Sequence, residues 1–124
     1  MKTQNQLRAE IYNALYANST LPNDIYWIAR PTVINSPIIV YNVLDTTGAY
    51  VYGSGAIVRS SEDFTVQVDI YVSPEEVNLM DSYMEAVKTV METINYRNLG
   101  SPVEFFETDI NKVVRPTRWE RLNV

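Results

Sequence analysis

The chain has 124 residues, 46% of them hydrophobic, with ten Lys and Arg against fifteen Asp and Glu for a net charge of -5. That length suits one domain, residues 1–124, able to bury a core without disulfides or metals. It contains neither cysteine nor histidine, which removes the thiol nucleophile, the thiolate metal site, the usual proton shuttle near neutral pH and the commonest transition-metal ligand.

The acidic balance, with a pI near 4.6, argues against binding driven by phosphate neutralisation, whether to nucleic acid or to an anionic membrane. No apolar run approaches the length of a membrane span. The opening Met1-Lys2-Thr3-Gln4-Asn5-Gln6 leads into no signal-type segment, so synthesis in the cytoplasm is expected.

Leu7, Ile11 and Leu15 recur every four residues and predict a first helix from about Thr3 to Ala17. The polar run Asn18 to Asn23 ends it. Ile25-Tyr26-Trp27-Ile28 reads as a short strand, terminated or placed at an edge by Arg30-Pro31. In Ile38-Ile39-Val40-Tyr41-Asn42-Val43-Leu44 apolar residues fall on both parities, as in a central strand covered on both faces. Asp45-Thr46-Thr47-Gly48 signals a turn, and Ala49-Tyr50-Val51-Tyr52 resumes as strand. Gly53-Ser54-Gly55 is read as a bulge or hairpin before Ala56-Ile57-Val58-Arg59. Ser60-Ser61-Glu62-Asp63 is a further turn.

Phe64 to Val72 alternates apolar and polar, the pattern of a half-buried strand. It runs into Ser73-Pro74-Glu75-Glu76, which combines an N-cap serine, a proline at the first helical position and a glutamate three residues after the cap. Val77, Met80, Met84, Val87, Met91 and Ile94 then form an amphipathic stripe, with Gly100 available to terminate the helix. Val103 to Glu107 predicts another strand. Lys112 to Arg115 and Arg118 to Leu122 predict a last one, interrupted by Pro116. The order implies an α+β fold, a mainly antiparallel sheet of about four to five strands packed by an N-terminal helix and a long central helix.

Chemistry-bearing constellations are sparse. Gly53-Ser54-Gly55 lies inside a strand pattern and opens no helix, so it is no phosphate loop, and Ser54 has no histidine to activate it. Asp63, Asp69, Glu104, Glu107 and Asp109 are the candidates for a carboxylate pair or a Mg²⁺ site, but Asp69 shares a polar strand face with Thr65 and Gln67, which reads equally as solvated sheet surface. No catalytic residue, metal site or cofactor is expected. Lys112, Arg115, Arg118 and Arg121, with Trp119 among them, form a basic strip suited either to a partner or to guarding an edge strand. Among nine tyrosines, Tyr50 and Tyr52 share a parity on the hairpin arm, and Tyr71 lies on the polar parity of its strand. The candidate interface residues are therefore Tyr50, Tyr52, Tyr71, Arg115, Arg118, Trp119 and Arg121.

This layout, in particular Pro37-Ile38-Ile39-Val40-Tyr41 and the Val66-to-Val72 strand entering its Ser-Pro-Glu segment, resembles the small tail-completion proteins of long-tailed bacteriophages. That group is the tail terminators, or tail-to-head joining proteins. The resemblance covers roughly residues 4 to 122 and rests on pattern rather than on a diagnostic motif. It implies a non-enzymatic virion protein that assembles with copies of itself into a ring, a hexamer in the family. Such a ring stops polymerisation of the tail tube protein and joins the tube to the head connector or stopper protein. DNA would pass through the lumen without specific binding, and no membrane is involved. Two alternatives are a head-tail connector or stopper of the same neck, and a small α+β enzyme or ligand-binding domain with a carboxylate or Mg²⁺ site near Asp69 and Glu104.

Overall fold

The computed structural model describes residues 4–32, 34–45, 50–53, 56–59, 65–100 and 103–121. Most of the two expected turns, at Asp45-Thr46-Thr47-Gly48 and Ser60-Ser61-Glu62-Asp63, lies outside the described residues, as do Ser54, Gly55, Phe64 and Leu122. The elements in chain order are α1 (Gln4–Ala17), β1 (Ile25–Trp27), β2 (Ile38–Asp45), β3 (Tyr50–Gly53), β4 (Ala56–Arg59), β5 (Thr65–Val72), a 3₁₀ helix (Pro74–Leu79), α2 (Met80–Thr93), β6 (Tyr96–Asn98), β7 (Phe105–Glu107) and β8 (Lys112–Arg121).

Six strands form the main sheet in the order β1-β2-β5-β8-β6, with β7 also on β8. The β1–β2 pair is parallel and every other pair antiparallel. The α+β class and the helix-packed, mainly antiparallel sheet agree with expectation; the unforeseen strand is β6. Strands β3 and β4 make a two-stranded sheet of their own, Tyr50 opposite Arg59 and Gly53 opposite Ala56, the hairpin form of the expected arm.

Both helices cover one face of the main sheet. Ile11 and Leu15 of α1 and Met80, Val87 and Met91 of α2 pack on Ile39 and Tyr41 of β2, Val66, Val68 and Ile70 of β5, and Trp119 of β8. The other face carries a smaller core of Ile34, Ile38, Val40, Tyr71 and Val114. Residues 38–41 are therefore buried on both parities, because β2 lies between two strands with a core on either side.

The start of the long helix departs from expectation. Residues 74–79 are 3₁₀, and α-helix begins only at Met80. Pro74 does occupy the first helical position, but the Ser73 side chain caps nothing. Its hydroxyl is drawn away to Ser36 Oγ and to Lys112 Nζ, which donates to both serines at 3.1 Å. Val77, placed on the expected apolar stripe, is exposed, because the tighter 3₁₀ winding rotates it off the face that the α-helical residues share. At the other end, Asn95 is the left-handed residue that closes the helix, with φ 71° and its N–H donating to the Glu92 carbonyl at 3.1 Å, while Gly100, at φ 98°, lies beyond β6. Asparagine is the usual substitute for glycine there.

Pro116 does not interrupt the last strand. It sits inside continuous β8, opposite Asp69. Among the described residues β6 ends opposite Trp119 and β7 opposite Val114, so the outer side of β8 has no strand partner at the proline. A residue without an N–H is tolerated where no ladder bond is required. β8 is thus an interior strand, not the guarded edge that its charge suggested.

Candidate interaction surfaces

The strand register decides where each β8 side chain goes. Residues directly opposite each other share a face. Trp119 stands opposite Val66, Thr117 opposite Val68 and Arg115 opposite Ile70, all on the helix-covered side, with Arg121 on the same parity. Lys112 and Arg118 are on the other side. The basic strip of the sequence is therefore divided between the two faces of the sheet.

Arg115 reaches Asp81 in the first turn of α2 at 3.1 Å; with Asp81 exposed, such a pair is worth ~0–1 kcal/mol. Arg121 is mostly buried. It donates to Glu10 of α1 at 2.9 Å and to the Ile94 carbonyl at 3.4 Å, and its guanidinium lies 5.8 Å from the centre of the Tyr96 ring. It joins α1, the end of α2 and β8, and its positive charge suits the carbonyl end of α2. Trp119 is fully buried, so the structure corrects its assignment to a partner contact: it is a core residue. Tyr71 is also buried, against Ile34, Ile38, Val40 and Val114. Burial first, then the charges of Asp69 and Glu107, raise its hydroxyl pKa, with Arg30 acting in the opposite sense. Tyr50 and Tyr52 stand on β3, opposite Arg59 and Ile57. Arg118 alone of the β8 candidates is exposed, opposite Gln67.

Asp69 is engaged locally. Gln67 Nε2 donates to both of its carboxylate oxygens, at 2.8 and 3.1 Å. Burial raises its pKa above the ordinary carboxylate value, partly offset by the Gln67 bond and the charge of Arg118. Glu104 is exposed just before β7, and Asp63 lies outside the described residues. Among the described residues no three His, Cys, Asp or Glu side chains converge to hold a metal ion. An open groove of about 520 Å³ between the end of α1 and α2 is lined by Asn18, Thr20, Asp81, Ser82, Glu85 and Thr89 among others.

The exposed apolar residues are the feature that the sequence reading missed. Ile28 is 61% exposed at the end of β1; Leu99, directly after β6, is 46% exposed, and Val103, Phe105 and Phe106, in and just before β7, are 86%, 48% and 49% exposed. These two groups occupy opposite ends of the main sheet. On α1, Tyr12 and Tyr16 stack with ring centres 5.8 Å apart on an exposed face. The Val103-to-Phe106 run was legible as strand, but strand patterning alone does not say that both of its faces lack cover.

No protein-family model matches the chain, and no curated protein matches it in sequence. In fold it is similar to a chain of the solved structure "Virion of native gene transfer agent (GTA) particle", with a TM-score of 0.57, 10% identity and 95% of each chain covered. At that identity the likeness establishes a shared fold.

Proposed function

We propose that this chain is a structural protein of a phage-like particle, acting at the neck end of the tail. In this reading copies of the chain close into a ring on the tail tube, stop its growth and present a different surface to the head connector. The observation that carries the proposal is the similarity of fold, over 95% of both chains, to a component of a gene transfer agent virion. The described surface suits such a role, since one group of exposed apolar side chains lies at each end of the main sheet, apart from those on α1 and the 3₁₀ helix. Contacts that join one end of a subunit to the other end of the next are heterologous and close into rings when the rotation permits. A net charge of -5 suits a lumen through which DNA passes without adhering, because like charges repel.

The test is deletion of the gene followed by electron microscopy of the particles. Overlong tails without heads are expected. Tails of normal length that lack heads would replace the capping role with a connector role, and normal infectious particles would overturn the virion assignment.

A further inference from the structure

Ile28 has φ 70°, a conformation that β-branched residues rarely adopt. The Ala29 N–H donates to the Trp27 carbonyl at 2.8 Å across it, and the Ile28 N–H donates to the Tyr41 carbonyl at 2.9 Å. The outcome is a tight turn at the end of an edge strand that holds an isoleucine 61% exposed. Neither half of that arrangement favours the isolated chain: the backbone is strained and the side chain is wet.

At the far end of the same sheet, the short strand β7 pairs with β8 on one side. Phe105 and Phe106 project from it to opposite faces, as successive strand residues do, and both are exposed, with Leu99 and Val103 nearby in the chain. Singly exposed apolar residues are unremarkable, whereas grouped ones mark contact sites.

The charges at the two ends differ in sign. From 99 to 111 the sequence carries Glu104, Glu107 and Asp109 and no basic residue. Beside β1, the Arg8 guanidinium lies 5.4 Å from the centre of the Trp27 ring, and Arg30, which donates to the Pro31 carbonyl at 3.4 Å and whose charge also acts on the Tyr71 hydroxyl, follows Ile28; from 24 to 32 the sequence carries one acid, Asp24. A chain of net charge -5 repels its own copies unless surfaces of opposite sign are brought together.

We propose that the β1 end of one copy, centred on Ile28 and Arg30, docks on the β7 end of the next copy, centred on Phe105 and Phe106. This rests on the ring reading above and specifies its subunit contact. The contact is head to tail: Ile28 enters the apolar surface around β7, and Arg30 meets the carboxylates that flank it.

Because the chain has no cysteine, engineered thiols report on the contact without background. Ile28→Cys and Phe105→Cys chains are prepared separately, checked for wild-type thermal unfolding, and treated with a short bismaleimide alone and mixed, both at high concentration and on tail tubes. Ala29→Cys with Val103→Cys is a second pair, at two exposed positions that leave Ile28, Arg30, Phe105 and Phe106 in place. Cross-linked dimers that form in the mixtures and not in either single variant are expected. Dimers formed by one variant with itself, or none in any mixture, would overturn the proposal. Tube capping is assayed in parallel on the wild-type chain. Capping without the 28–105 link sinks this contact alone, while the link without capping keeps the contact and removes the proposed function.

Discussion

Trp119 and Thr117, two residues apart on β8 and both fully buried, are joined by a hydrogen bond from the indole Nε1 to the threonine Oγ1 at 2.8 Å. The threonine hydroxyl in turn donates to the Val68 carbonyl, also at 2.8 Å. One hydroxyl acts once as acceptor and once as donor, and it allows a tryptophan to sit in the main core with its N–H satisfied.

Thr117→Val keeps the shape and removes the acceptor, leaving a buried indole N–H unpaired, so a loss of ~1–3 kcal/mol is expected. Trp119→Phe removes the donor, and the double variant is expected to lose less than the two single losses combined, because no orphaned group remains on the indole side. Urea denaturation of the four proteins measures the coupling. Strict additivity would show that the bond contributes nothing.

Ser73 reads as a helix cap but binds Ser36 and Lys112 instead. Ser73→Ala is therefore expected to cost ~1 kcal/mol through the lost hydroxyl bonds, with the helical circular-dichroism signal of the native protein unchanged. A loss of helical signal at full folding would restore the capping role.

The carboxyl of Asp69 has a raised pKa, chiefly through burial. A group that binds its proton more tightly when folded favours folding at low pH, and that contribution is lost as pH rises through its folded-state value. Asp69→Asn retains an acceptor for Gln67 and removes the charge. It is expected to be more stable than the wild type at neutral pH, and the advantage is expected to shrink as pH falls from the raised folded-state value of Asp69 to the ordinary carboxylate value, below which it no longer changes. Thermal unfolding across that range checks the sign; equal pH profiles for the two proteins would contradict it.

Ile28 occupies a left-handed backbone position. Asparagine adopts that conformation more readily, and non-glycine residues there carry ~1–2 kcal/mol of strain. Ile28→Asn is expected to raise stability by ~1 kcal/mol while weakening association between copies. The pair of measurements is thermal unfolding and light scattering. A variant that is less stable, or one that associates as well as the wild type, would contradict the role given to this side chain.

Much of the fold was legible because the relevant signals are local. The Leu7, Ile11 and Leu15 spacing, the alternation from Val66 to Val72 and the two-parity run at Ile38 each report which faces of an element are covered, and each agrees with the observed burial. The absence of cysteine and histidine was equally direct. Tertiary structure decided what pattern leaves open. Tyr71 falls on the polar parity of β5, yet it is buried because the segment containing Ile34 and the strands β2 and β8 build a second core against that face. Trp119 sits among arginines in sequence and in the core in space, because strand alternation sends Arg118 to one side and Trp119 to the other. The hydroxyl of Ser73 left its cap because Lys112, 39 residues away in the chain, arrives beside it. Likewise, composition counts the apolar residues, but only the order of strands in the sheet puts Ile28 at one end and Phe105 and Phe106 at the other, since exposure is set by which neighbours a segment meets and those neighbours are distant in the chain.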